Sequence, residues 1–361
     1  MRVACLGGGP AGLYFAISLK LRQPEAEVTV FERNKPDDTF GWGVVLSDET
    51  LDNLAQNDPV SAERIRAHFA YWDDIAVHYR DTKTVSTGHG FCGIGRMRLL
   101  LLLQERAREL GVDLRFETEV ASAQDYAKNY DLVVASDGLN SRTRTELAEH
   151  FKPEIDMRAC KFVWLGTHQK FDDAFTFIFE ETDKGWLWAH AYQFDNDTAT
   201  FIVECDEATW QAYGFGDMTQ DDSIATCEAI FAKHLGGHPL MTNARHIRGS
   251  AWINFPRVLC ERWSHENIVL MGDAAATAHF SIGSGTKLAL ESAISLAEGV
   301  TKEVGLPQAF AKYEDERRLE VLRLQSAARN SLEWFEDIER YLHLDPVQFN
   351  YSLLTRSQRI S

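Results

Sequence analysis

The chain has 361 residues, 45% of them hydrophobic and 25% charged, which suits a large buried core. A formal charge of −17 argues against nucleic acid or an anionic membrane as partner, since the most basic runs, 105–110 and 314–325, interleave acids with bases. Six scattered cysteines without a Cys-x-x-Cys pair, no metal-ligand spacing and no apolar run long enough for a leader or a membrane span predict a cytoplasmic protein with reduced thiols and no metal.

Residues 3–6 are an apolar strand, 7–12 read GGGPAG, and an apolar helix follows, with Pro10 tolerated in its first turn. A second buried strand at 27–33 completes a βαβ unit. Irregular sequence follows from 34 to 49, then a helical stretch to about 70. A helix at 96–110 is stopped by Gly111, and strands follow at 112–120 and 131–138, the latter ending in Asp137-Gly138. From 152 to 255, aromatic β-rich runs separated by turn residues predict an antiparallel sheet inserted into a nucleotide-binding domain. The buried-strand pattern returns at 267–275, followed by helix at 285–300 and helix again over 306–341. The fold class is therefore α/β: a Rossmann-like domain of 1–151 and 256–305, a β-sheet substrate domain at 152–255, and a helical C-terminal segment at 306–361.

Gly7, Gly9 and Gly12 fit Gly-x-Gly-x-x-Gly between a strand and a helix, with the acidic Glu32 and then Arg33 closing the second strand. Glycines around Pro10 and Ala11 let backbone approach a pyrophosphate, the helix N-terminus supplies N–H donors, and Glu32 can accept from ribose hydroxyls. This motif alone does not separate NAD from FAD.

Two distal motifs make that separation. DGLNSRTR, 137–144, places Asp137 at a strand end, and GDAAATAHFSIGSGTK, 272–287, places Gly272 and Asp273 at another, before Gly283 and Gly285 open a helix. With GGGPAG, these resemble the class A flavoprotein monooxygenases of the para-hydroxybenzoate hydroxylase fold, over essentially the whole chain. The resemblance implies FAD, with Asp273 on its ribityl-pyrophosphate part, the Gly283–Gly285 helix start at the pyrimidine edge, and Arg96 near the ribose and phosphate. Ser281 stands near the family's usual proline, and Lys287 near its usual asparagine.

PDDTFGWGVVLSDETLDNL, 36–54, and HFSIGSGTKLALESA, 279–293, resemble the subgroup acting on salicylyl-CoA and 2-aminobenzoyl-CoA. So does the C-terminal stretch 342–361, which in bifunctional members leads into a flavin-reductase-like domain. The implied reaction is ring hydroxylation, at C5, of an ortho-substituted benzoyl-CoA. NADH or NADPH reduces the flavin, and O₂ adds to give a C4a-hydroperoxide. A free aromatic acid or an indole is the alternative substrate. Trp42, Gly43 and Val44 are expected to approach the flavin.

His190 and Tyr192 lie two apart on a predicted strand, hence on one sheet face, and are candidates for substrate contact and proton transfer. His279, just before the second glycine loop, is a third. CoA phosphates would need local cations; Arg158, Lys161, Arg257 and Arg262 are candidates. Two rival readings remain open. GWLWAH, 185–190, partly mimics a flavin-dependent halogenase motif, with the tryptophans otherwise read as sheet and pocket packing. A non-catalytic flavin-binding protein is the other.

Overall fold

A computed structural model describes residues 1–172, 174–244 and 250–357. Strand Arg2–Leu6 pairs in parallel with Glu27–Phe31 on one side and Leu132–Ala135 on the other. Asp113–Arg115 and Ile268–Leu270 extend the sheet in parallel, and Ser264–His265 adds an antiparallel edge. The central strands are buried on both faces, so they read as continuous apolar runs.

Helix Pro10–Arg22 leaves the first strand through the glycine turn and packs against helix Gly285–Lys302. The approach is very close. A Cβ on Gly12 would lie 2.2 Å from the Gly7 carbonyl oxygen and 2.5 Å from Ser136 Oγ. Gly7 itself has φ of +109°, a backbone setting that glycine adopts without a steric penalty.

The second sheet contains Pro153–Thr167, Ala174–Thr182, Gly185–Gln193 and Ala199–Cys205 in antiparallel array. It is not confined to 152–255. Asp74–Tyr79 joins it in parallel against Ala174–Thr182, Thr82–Ser86 pairs next to that, and Ile253–Cys260 runs past the expected boundary along Pro153–Thr167. The first segment is a crossover from a distant part of the chain, which local patterning does not register.

This sheet is covered on both sides. Leu187, Ala189, Ala191, Phe201 and Val203 pack under Cys227, Phe231 and Leu235 of helix Gln220–Leu235. Trp188, Phe177 and Phe179 pack against Trp334 and Phe335 of helix Leu306–Glu336 and against Phe349 and Leu353 of helix Pro346–Thr355. The 342–361 stretch is thus largely helix docked on the sheet; its residues 358–361 lie outside the described ones.

Part of the stretch read as irregular forms a strand, Gly43–Leu46, in a three-stranded sheet with Phe91–Gly95 and Ala70–Trp72. It is tied to the second sheet at Gly43, whose N–H donates to Thr200 Oγ1 at 3.0 Å and whose carbonyl accepts from Tyr192 Oη at 2.8 Å. All six cysteines are free and buried. Among the described residues no helix is long and apolar enough to cross a membrane.

Gly12→Ala should destabilise the protein by about 1–3 kcal/mol, because backbone and the Ser136 hydroxyl must retreat from the added methyl. Thermal unfolding measures it; an unchanged melting temperature would show that the turn has slack.

Candidate active site

Two adjoining cavities open beyond the C-terminal ends of the parallel strands, where open α/β sheets place ligands. Their volumes are about 280 and 460 Å³, and they share Gly9, Arg96, Ser136 and Gly138. Together they form one elongated trough. A Cβ on Gly9, Gly138 or Gly285 would meet no atom within 4 Å, so backbone there faces open space.

The first cavity is lined by Gly7, Gly9, Glu32, Arg33, Arg96 and Asp137. Glu32 Oε2 accepts from the Gly8 N–H at 2.7 Å, and its Oε1 from the Asn34 N–H at 2.8 Å. The carboxylate thereby fixes the glycine turn it faces. Asp137 accepts from Ser141 Oγ at 2.6 Å and from the Thr143 N–H at 3.1 Å, which holds the DGLNSRTR loop closed on itself.

The second cavity brings together Pro10, Ala11, Gly43, Val44, Gly272, Asp273, Gly283 and Gly285, from four separate parts of the chain. The N-terminal turns of helices Pro10–Arg22 and Gly285–Lys302 both border it, offering unpaired N–H groups and positive potential. Burial raises the Asp273 carboxyl above its usual range, opposed by Arg96 and Arg144. Burial lowers the Arg96 guanidinium, opposed by Asp273. Arg96 Nε donates to Thr39 Oγ1 at 3.1 Å. Arg144 reaches the backbone of the second loop, donating to the Ala274 carbonyl at 3.0 Å.

Three expected residues are placed elsewhere. Gly12 lies under the turn and serves the helix–strand contact, outside both linings. Trp42 points away: its indole lies over Gly166, where a Cβ would sit 2.6 Å from the ring. Only its carbonyl serves the site, accepting from the Arg96 N–H at 2.7 Å. His279 is spent inside its own loop. Its Nδ1 bonds Ser281 Oγ at 2.9 Å, the ring packs on Phe255 and Phe280, and burial pushes its pKa down to about 4. Its side chain is not part of the cavity lining, so direct substrate contact through His279 is not supported.

The departures from the family pattern are also resolved. Lys287 turns outward to Glu49 and Glu291 at 2.5 and 3.3 Å. Ser281 lines the cavity and bonds Ser331 Oγ at 2.8 Å. Neither tryptophan of GWLWAH lines the cavity; both pack in the apolar cluster beside it on the same sheet face, which corrects the expected pocket role.

Tyr192 and His190 do line the cavity, but differently. The Tyr192 hydroxyl is given to the Gly43 carbonyl, its ring stacks on Phe175 at 5.2 Å, and burial pushes its pKa up to about 12. It positions the Gly43–Leu46 strand. His190 is buried among Phe177, Phe280 and Phe335, and its Nε2 bonds Glu204 Oε2 at 3.1 Å. The same oxygen accepts from Trp188 Nε1 at 2.7 Å. Burial lowers the His190 pKa, with Glu204 opposing.

Sequence reasoning missed Glu204 and Arg356. Glu204 is an acid in a strand buried along its whole length, and register sets it opposite Trp188. That buried acid was the available signal. Arg356, in the C-terminal stretch, carried none. It lines the cavity beside Phe177 and Phe335. Burial pushes its pKa down to about 10, opposed by Glu204, so it is cationic at neutral pH.

A trough with two glycine-opened helix ends at one side and a largely aromatic chamber under a β-sheet at the other defines a flavoprotein oxygenase. The FAD binding domain family matches residues 1–328, and the chain belongs to that family as an FAD-dependent aromatic monooxygenase. The chain is 43% identical to a salicyloyl-CoA 5-hydroxylase from a Streptomyces species, over 99% of this chain and 70% of that one. It is 36% identical to the 3-hydroxy-4-methyl-anthranilyl-[aryl-carrier protein] 5-monooxygenase of Streptosporangium sibiricum, over 93% and 89% of the two chains. A solved structure of 2-methyl-3-hydroxypyridine-5-carboxylic acid oxygenase shares the fold, with a TM-score of 0.74 at 18% identity over 99% and 96% of the chains.

Arg96 lines both cavities and is not ion-paired among the described residues, so its charge is open to a bound pyrophosphate. Arg96→Gln should weaken FAD binding about 10- to 100-fold, the loss expected for a hydrogen bond to a charged group. Flavin retained through gel filtration and a fluorescence titration measure this; undiminished affinity would remove Arg96 from the cofactor site.

Proposed function

We propose that the protein hydroxylates the ring of an ortho-hydroxy- or ortho-aminobenzoyl thioester, with salicylyl-CoA as first choice, at C5, para to the donor group. The carrying observation is the chamber at His190: aromatic walls with one hydrogen-bond acceptor edge. The relatives' names support the acyl group, since both specify an aryl acyl carried as a thioester or on a carrier protein, and position 5.

FAD, reduced by NADH or NADPH and supplied with O₂, provides electrophilic oxygen when bound. Gly7, Gly9, Pro10, Ala11, Glu32, Arg33, Arg96 and Asp137 would hold its adenosine and pyrophosphate. Gly43, Val44, Gly272, Asp273, Gly283 and Gly285 would hold its ribityl and ring end.

The chain's own part is orientation and proton control. Phe175, Phe177, Ile202 and Phe280 exclude water from the ring. Glu204, accepting from Nε2, keeps the His190 proton there and leaves Nδ1 as acceptor. Nδ1 takes the hydrogen of the ring hydroxyl or amine, which pushes electron density to the para carbon as it reacts. Glu204 positions the imidazole; Trp188 holds Glu204.

The cations expected for CoA are mostly committed. Arg158 pairs with Asp156 and Glu336, Arg257 pairs with Glu154, and Lys161 bonds Asn254 and lies over Trp210. The nucleotide end of CoA is therefore expected to gain little from specific phosphate contacts.

The test is NADH and NADPH oxidation with salicylyl-CoA, 2-aminobenzoyl-CoA, benzoyl-CoA and the free acids, with mass spectrometry for one added oxygen. Stimulation and oxygen gain with a CoA ester but not its acid support the reading; response to a free acid or indole alone defeats it. Because burial holds the His190 pKa below its usual value, the imidazole is neutral at pH 7. Product formation should be at its plateau at pH 7 to 8 and fall only as the pH drops below the ordinary histidine range near about 6.5, where protonation removes the acceptor. His190→Ala should slow it about 10²- to 10⁴-fold and abolish that acid limb. An acid limb that survives the substitution assigns the titration to another group.

A further inference from the structure

We propose that Arg356 takes the acyl oxygen of the aromatic substrate and thereby selects rings that carry an acyl group next to the donor substituent. This rests on the ring-hydroxylation reading of the same cavity.

Where the cavity is walled by Phe175, Phe177, Ile202 and Phe280, two polar side chains converge. They share the same two rings. The His190 ring centroid is 5.2 Å from that of Phe177 and 5.0 Å from that of Phe335. The Arg356 guanidinium carbon is 5.0 and 5.3 Å from the same two centroids. One group accepts a hydrogen bond and the other donates. An ortho-substituted benzoyl group offers the complement: a donor on one ring carbon and an acyl oxygen on its neighbour's substituent.

Arg356 is built into place. Asp345 caps its helix by accepting from the Val347 and Gln348 N–H groups at 2.9 and 3.1 Å. Phe349 stacks on Tyr79 at 3.9 Å, and Ser352 accepts from Trp334 Nε1 at 2.7 Å. The guanidinium then donates Nε to Ser331 Oγ at 2.9 Å, Nη1 to the Leu353 carbonyl at 2.7 Å and Nη2 to the Ser281 carbonyl at 2.9 Å. A guanidinium has five N–H donors. Two of them find no partner among the described residues, and no carboxylate pairs with the group there. Its aromatic neighbours and neutral acceptors fix its direction without consuming its charge.

The acyl oxygen has two sources, a thioester carbonyl or a free carboxylate, which the guanidinium fork can also meet. The experiment titrates FAD-loaded protein with salicylyl-CoA, salicylate and phenol, and follows the flavin absorbance change on binding. Arg356→Gln should weaken whichever acyl ligand the unmodified protein binds by about 10- to 100-fold and leave phenol unchanged. Arg356→Lys should restore part of the affinity. If the Gln variant loses its flavin or fold, Ser331→Ala releases one anchor of the same guanidinium, and the same acyl-against-phenol difference is expected at smaller size. Equal weakening of all three ligands would mean a packing role and overturn the proposal. So would unchanged acyl binding in both Arg356 variants while the unmodified protein binds salicylyl-CoA or salicylate. If the unmodified protein responds to no acyl ligand, the ring-hydroxylation reading falls and takes this assignment with it.

Discussion

The site depends first on how closely one helix can approach one strand end. Ser136 Oγ reaches the Leu6 and Gly7 carbonyls at 3.2 and 3.1 Å, and Gly12 fits against the same carbonyl only because it has no side chain. That contact sets the direction of helix Pro10–Arg22. Helix Gly285–Lys302 packs on it, so the second glycine loop takes its place from the first. Two motifs some 260 residues apart are therefore one structural unit. Both helices start at the same trough and turn the positive ends of their dipoles toward it.

The second constraint is the two-residue period of strand Gly185–Gln193. Leu187, Ala189 and Ala191 face helix Gln220–Leu235, while Trp188, His190 and Tyr192 face the other way. Each of the second set then meets a different requirement set by its neighbours in the register. Trp188 opposes Glu204 and holds it, His190 opposes Ile202 beside the cavity, and Tyr192 opposes Thr200 where Gly43 is tied down. One strand face thus positions an acid, presents an imidazole and anchors the strand Gly43–Leu46 that borders the second cavity.

What the sequence displayed and what it hid follow from distance along the chain. The glycine motifs and their acidic partners are local, so strand, turn and helix signals sit side by side and were legible. His190 and Tyr192 were legible as a pair because alternation survives in the sizes of the side chains even though both faces are buried. Trp42 was misread because its direction is decided by Gly166, over 120 residues away, which leaves room for the indole. His279 was misread because Ser281, two residues on, captures its ring nitrogen. Strands Asp74–Tyr79 and Thr82–Ser86 belong to the second sheet only through a parallel crossover, and Arg356 reaches the cavity only through the docking of a C-terminal helix. No local pattern encodes either.

The charge of the chain sharpens the role of the few cations at the trough. With a formal charge of −17, most surface bases meet an acid: Arg158, Arg257 and Lys287 each pair with carboxylates. Arg96 and Arg356, which line the trough, do not, nor does Arg144 behind the second glycine loop. Their described partners are a threonine or serine hydroxyl and backbone carbonyls. Neutral acceptors orient a guanidinium without cancelling it, so these three retain their field. In a cavity with low-dielectric walls that field is focused rather than screened. An acidic protein can in this way offer an uncancelled positive field inside a cavity while its outer surface stays negative. The selectivity comes from which arginines are denied a carboxylate, and all three are placed by contacts between segments far apart in sequence.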